Sequence, residues 1–76
     1  MRPENVPATV HALDRFGRTL AFRTVLLAES APIIARSLLA DLEAADIFTA
    51  RLEYRAPNAA MVESWTPGQL VEEARA

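Results

Sequence analysis

Residues 47–55, IFTARLEYR, alternate at period two. Phe48, Ala50, Leu52 and Tyr54 fall on one side of an extended backbone, and Thr49, Arg51, Glu53 and Arg55 on the other. Such alternation marks a strand with one face in a core and one face turned elsewhere. The pattern predicts a sheet with an open, charged face, which is where function would sit.

Two further segments read as extended. Residues 1–7 hold two prolines, Pro3 and Pro7, and read as an irregular arm before a strand at 8–13. Asp14-Arg15-Phe16-Gly17 then has the chemistry of a type I turn, with Asp first and Gly last, where a positive φ is needed. RTLAFRTVLL at 18–27 follows as a β-rich second strand. Pairing Asp14 with Arg18 sets Val10 across from Phe22 and Ala12 across from Leu20 on one face. The other face then carries Thr9, His11 and Leu13 opposite Arg23, Ala21 and Thr19, with Val25 and Leu27 further along.

Residues 30–46 carry helical spacing: Ile34, Ala35, Leu38, Leu39, Leu42 and Ala45 make one apolar stripe, with Arg36, Ser37, Asp41 and Glu43 largely away from it. Ser30 is a candidate cap, and Pro32 is tolerated in a first turn whose amides lack helical partners. Turn chemistry at Ala56-Pro57-Asn58-Ala59 leads to a short strand at 60–65, with Met61, Glu63 and Trp65 on one side and Val62 and Ser64 on the other. Thr66-Pro67-Gly68-Gln69 is a capping box, and Trp65 and Leu70 are placed for a hydrophobic staple. Leu70, Val71 and Ala74 form the stripe of the closing helix. The order β-β-α-β-(β)-α predicts a small two-layer α+β sandwich, with an antiparallel or mixed sheet of three to four strands and helices on one face. Residues 1–76 are read as a single domain.

Size sharpens this picture. A chain of 76 residues buries only about 60% of the surface its unfolded form exposes. Domains this small lean on disulfides, a metal, regular packing or a second subunit. The chain has no cysteine and one histidine, His11, so disulfides are excluded and a zinc site is unsupported. Good packing or oligomerisation remains. All eight basic residues are arginine, and the formal net charge is −2. That balance argues against a dedicated nucleic-acid binder, which carries a clear basic excess. The amino terminus lacks a signal-peptide pattern and no apolar run is long enough for a membrane span, so the expected location is cytoplasmic, without a membrane partner.

Candidate chemistry is sparse. His11 is the one side chain with an ordinary pKa near neutrality, but catalysis would need Ser30, Ser37 or Ser64 and a carboxylate such as Asp14 beside it. Nucleophile-elbow, calcium-loop and phosphate-loop patterns are missing from the sequence. Asp41, Glu43, Asp46, Glu72 and Glu73 read as solvated acidic positions. The expectation is a non-enzymatic chain without a cofactor.

Arginines carry the stronger signal. Arg23, Arg51 and Arg55 are expected on the open face, the last two roughly 13 Å apart along one strand. Leu13, Val25 and Leu27 are expected beside them, and Phe16 at the hairpin tip is a further anchor. Arginine with aliphatic side chains on an uncovered sheet resembles the composition of an interface. The expected function is a small protein–protein interaction module that self-associates, as a homodimer, through an open sheet face or edge, and binds a protein partner. The alternative is a nucleic-acid-binding accessory protein that uses the arginine-bearing face.

Overall fold

The structure, a computed structural model, describes residues 8–58 and 60–75. The arm at 1–7 and Ala59 of the predicted turn lie outside the described residues. The elements are β1 (Ala8–Leu13), β2 (Thr19–Val25), α1 (Ala31–Ala44), β3 (Arg51–Arg55), β4 (Met61–Trp65) and α2 (Pro67–Arg75). They form a small α+β fold: one four-stranded antiparallel sheet in the order β2-β1-β3-β4, with two helices on one face. β2 and β3 run in the same direction with β1 between them, and α1 spans the crossover.

The first hairpin forms where turn chemistry places it. Gly17 N–H donates to Asp14 O at 3.0 Å, and Gly17 takes φ 81°. The Asp14 carboxylate accepts from the Phe16 and Arg18 amides at 2.9 Å each. Leu13 pairs with Thr19, but Ala12 then pairs with Ala21, so Leu20 is an extra residue on β2. This bulge shifts the rest of the register by one, which exchanges the two faces of β2. Val10 therefore stands across from Arg23 and Ala8 across from Val25, not the predicted pairing.

The core lies between the sheet and the helices. Ala8, Val10 and Ala12 of β1, Val25 of β2, Leu52 of β3 and Trp65 of β4 face Ala31, Ala35, Leu38, Leu39 and Leu42 of α1 and Leu70 of α2. Alanines in both layers let the helix lie close over β1 and the partly buried Ala21. Leu38, Leu52 and Leu70 are fully buried; truncating such a side chain to alanine costs about 2–5 kcal/mol.

Helix α1 starts and stops differently from the expectation. Ser30 precedes it but makes no capping hydrogen bond, because a 3-10 turn at Ala28–Ser30 already leads the backbone into the helix. At the other end, Ile47 N–H donates to Leu42 O at 2.9 Å and Asp46 N–H to Glu43 O at 3.0 Å, with Asp46 at φ 61°. This is a Schellman stop with its left-handed residue at Asp46. It turns the chain sharply, so residues 47–50 form a connection and the strand begins only at Arg51. Phe48, expected in the core, is 71% exposed.

The α2 capping box is complete. Gln69 N–H donates to Thr66 Oγ1 at 3.3 Å, and Thr66 N–H donates to Gln69 Oε1 at 2.8 Å. Trp65 and Leu70 on either side of the cap are both buried in the core.

Candidate functional site

The sheet face away from the helices is the site that the fold leaves open. Its central row runs Phe22, His11, Glu53, Ser64 across the four strands. Thr24, Thr9 and Arg55 form the next row, ending at a second bulge where Met61 and Val62 both stand against Arg55. Leu13 and Arg51 lie on the other side of the central row.

Glu53 organises the middle of this face. Its Oε2 accepts from Arg51 Nη2 at 2.9 Å, while Oε1 accepts from Arg55 Nη2 at 2.8 Å and Arg55 Nε at 3.1 Å. Alternation along β3 puts both arginines on Glu53's own side, so their heads fold over the carboxylate. Glu53 is thereby only 7% exposed on a face no helix covers. Charge-assisted hydrogen bonds supply what water would otherwise give this buried group. The two guanidinium groups keep outward N–H donors, Arg51 being the more exposed.

His11 stands next to this cluster. Its Nε2 lies 3.0 Å from Thr9 Oγ1 and its Nδ1 3.4 Å from Thr19 Oγ1. A neutral imidazole donates through one nitrogen and accepts through the other, and a hydroxyl serves either role. The ring stacks on Phe22 at a centroid distance of 5.6 Å. Burial lowers its pKa from the ordinary 6.5, nearby Arg55 lowers it further, and Glu53 opposes both. Among the described residues, each ring nitrogen has a threonine hydroxyl as its hydrogen-bond partner, and no serine or carboxylate bonds the ring.

The predicted contact residues separate. Arg51 and Arg55 are on the open face. Arg23 is not: the bulge at Leu20 turns it to the helix side, where its Nη2 meets Asp41 of α1 at 3.2 Å. The same shift sends Val25 into the core. Leu13 keeps the open-face parity, yet it is 2% exposed and stands apart from the helix-side cluster, so it has no area to offer a partner. Leu27 is exposed but lies past the end of β2, at the entry to the 3-10 turn. Phe16 is exposed at the hairpin tip, with the guanidinium carbons of Arg15 and Arg18 at 5.4 and 5.9 Å from its ring centroid.

Phe22, assigned to the core by the unbulged register, is the residue that sequence reasoning missed. It is 57% exposed and brings an aromatic ring to the open face. The available signal was the run Leu20-Ala21-Phe22, where a one-residue slip trades a large side chain for alanine against the helix.

Among the described residues, no group of three or more metal-ligating side chains converges and no helix is long and apolar enough to cross a membrane. Comparison with known protein families, curated proteins and solved structures finds no match for the chain.

Proposed function

We propose that this chain is a non-enzymatic interaction module that self-associates as a homodimer through the open face of its sheet and engages a protein partner. The observation that carries this reading is the make-up of that face. Exposed Phe22, Met61 and Val62 share this face with a guanidinium-capped carboxylate, and no described element packs over it. Aromatic residues, methionine and arginine are the types enriched at interfaces. Ordering Arg51 and Arg55 on Glu53 before contact lowers the side-chain entropy cost of association. A second subunit would also add buried apolar area to a domain whose own core is small. The proposed setting is the cytoplasm, tested by fractionation of the native host.

The test is solution mass across a dilution series, for the wild-type chain and for Phe22→Glu combined with Val62→Glu. Both positions are exposed, so the fold should survive. The wild type is expected to shift from dimer to monomer on dilution, and the variant to stay monomeric. A wild-type chain that is monomeric at every concentration would overturn the homodimer.

A second reading has one observation in its favour. The His11–Phe22 stack lies beside Arg55 on the same face, and aromatic platforms next to guanidinium groups bind single-stranded nucleic acid. Against it, Glu53 offsets half of the Arg51 and Arg55 charge. Binding to single-stranded oligonucleotides that weakens steeply with added salt would favour this reading; absence of binding at low salt removes it.

A further inference from the structure

On the helix side, away from the open face, the connection after α1 borders a cleft of about 360 Å³ between the end of α1 and the start of α2. Glu43, Asp46, Ile47, Phe48, Thr49 and Pro67 line it. We propose that this cleft binds an organic cation, a guanidinium or ammonium head on a short apolar stem.

Thr49 is the first ground. The residue is 4% exposed, and its Oγ1 has no hydrogen-bond partner among the described residues. A buried hydroxyl without a partner is costly. Thr49 borders the cleft, so a rotation of its side chain would bring this hydroxyl to an entering N–H group.

The second ground is charge. Two carboxylates, Glu43 and Asp46, are in the lining, and no basic residue is. Helix α1 also ends at this point with no basic residue in its last turn. The partial negative charge of a helix carboxyl end favours a cation there. An anion such as a phosphate would meet repulsion from all of these groups at once.

The third ground is the apolar wall. Ile47 and Phe48 stay exposed at the rim, and Phe48 offers most of its ring. A cation over an aromatic face is attracted by the ring quadrupole. A cleft of this volume is at the small end of ligand sites, suited to a head group with a few carbons.

The head group could belong to a free small molecule or to an arginine side chain, including Arg15 or Arg18 at the exposed hairpin tip of a second copy. The intact chain is titrated with n-butylguanidinium and, separately, with neutral n-butylurea, while backbone amide NMR shifts are followed. For a ligand this small the expected Kd is on the order of 1 mM. Saturable shifts are expected at Glu43, Ile47, Phe48, Thr49 and Gly68 with the guanidinium and not with the urea. Glu43→Gln combined with Asp46→Asn, both exposed positions, should weaken binding at least about tenfold, and Thr49→Val should weaken it as well.

Dilution of the wild-type chain without ligand distinguishes the sources. Cleft shifts that follow dilution and vanish in Arg15→Ala with Arg18→Ala name a second copy as the donor. Shifts that are independent of dilution, together with saturable guanidinium binding, name a free cation. No saturable response to n-butylguanidinium, an equal response to n-butylurea, or full binding by the double carboxylate variant would each overturn the proposal. None of these outcomes depends on whether the open sheet face forms a dimer.

Discussion

Asp46 takes φ 61° to end α1, a conformation that side chains with a Cβ adopt at a cost and glycine adopts freely. Asp46→Gly should raise stability by up to about 1 kcal/mol, the relief being partly offset by the larger entropy of an unfolded chain with one more glycine. Asp46→Val should lower stability by more than about 1 kcal/mol, because a β-branched side chain fits the left-handed region worst. Urea midpoints of the two variants check the sign and the order. Glu53 is a second residue with a clear expectation. Glu53→Gln keeps its shape but removes the charge between Arg51 and Arg55, and should cost about 1–2 kcal/mol, less than a fully buried pair because both arginines are partly solvated. Equal urea midpoints for Glu53→Gln and the wild type would refute that role. The Arg51-Glu53-Arg55 cluster was legible in the sequence, since alternation along one strand needs no knowledge of the rest of the fold. The stop at Asp46 was not, because an acidic residue at a helix end looks like any solvated one until its backbone angle is known.

At the scale of elements, local signals and long-range register behave differently. The capping box at Thr66 to Gln69 and the turn at Asp14 to Gly17 appear as the sequence predicts, since each is completed by residues within four positions of one another. Thr66→Ala should therefore cost about 1 kcal/mol, read as a lower thermal midpoint, by freeing the Gln69 amide. The faces of β2 could not be read this way. One extra residue, Leu20, decides whether Phe22 or Arg23 and Val25 face the helix, and that choice depends on how close α1 lies. Sequence alone therefore places Arg23, Val25 and Phe22 on the wrong sides, although it places the turn before them correctly. The bulge has its own test. Leu20→Ala at this partly exposed position should change stability by only about 0.5 kcal/mol. Deleting Leu20 should also be tolerated, because Leu13 still meets Thr19 and Ala12 still meets Ala21 in an unbulged ladder, with Val25 kept in the core and Phe22 on the open face. A deletion variant far less stable than Leu20→Ala, read from urea midpoints, would show that the bulge does more than absorb one extra residue in this register.

For the whole molecule, His11 links the proposed homodimer to pH. Its pKa in the folded chain lies below the ordinary 6.5, mainly through burial, with Arg55 adding to the shift and Glu53 opposing it. Between that lowered value and 6.5 the unfolded chain binds more protons than the folded one. The stability contribution is therefore fully present above 6.5 and is lost as the pH falls toward the folded value. A second sheet packed on the open face would desolvate His11 further, while Glu53 would remain tied to Arg51 and Arg55. The dimer should then bind fewer protons than two monomers, so association should weaken as the pH falls through the lowered value of the folded monomer. Sedimentation equilibrium at about pH 7.5 and about pH 5.5 measures this in a window above the ordinary carboxylate range. His11→Gln, which keeps polar contacts toward Thr9 and Thr19 without a titrating ring, should associate equally at both values. A wild-type association constant that stays unchanged across the pH range in which the His11 ring of the monomer titrates by NMR would place His11 outside the buried contact, and would move the dimer from the sheet face to an edge strand.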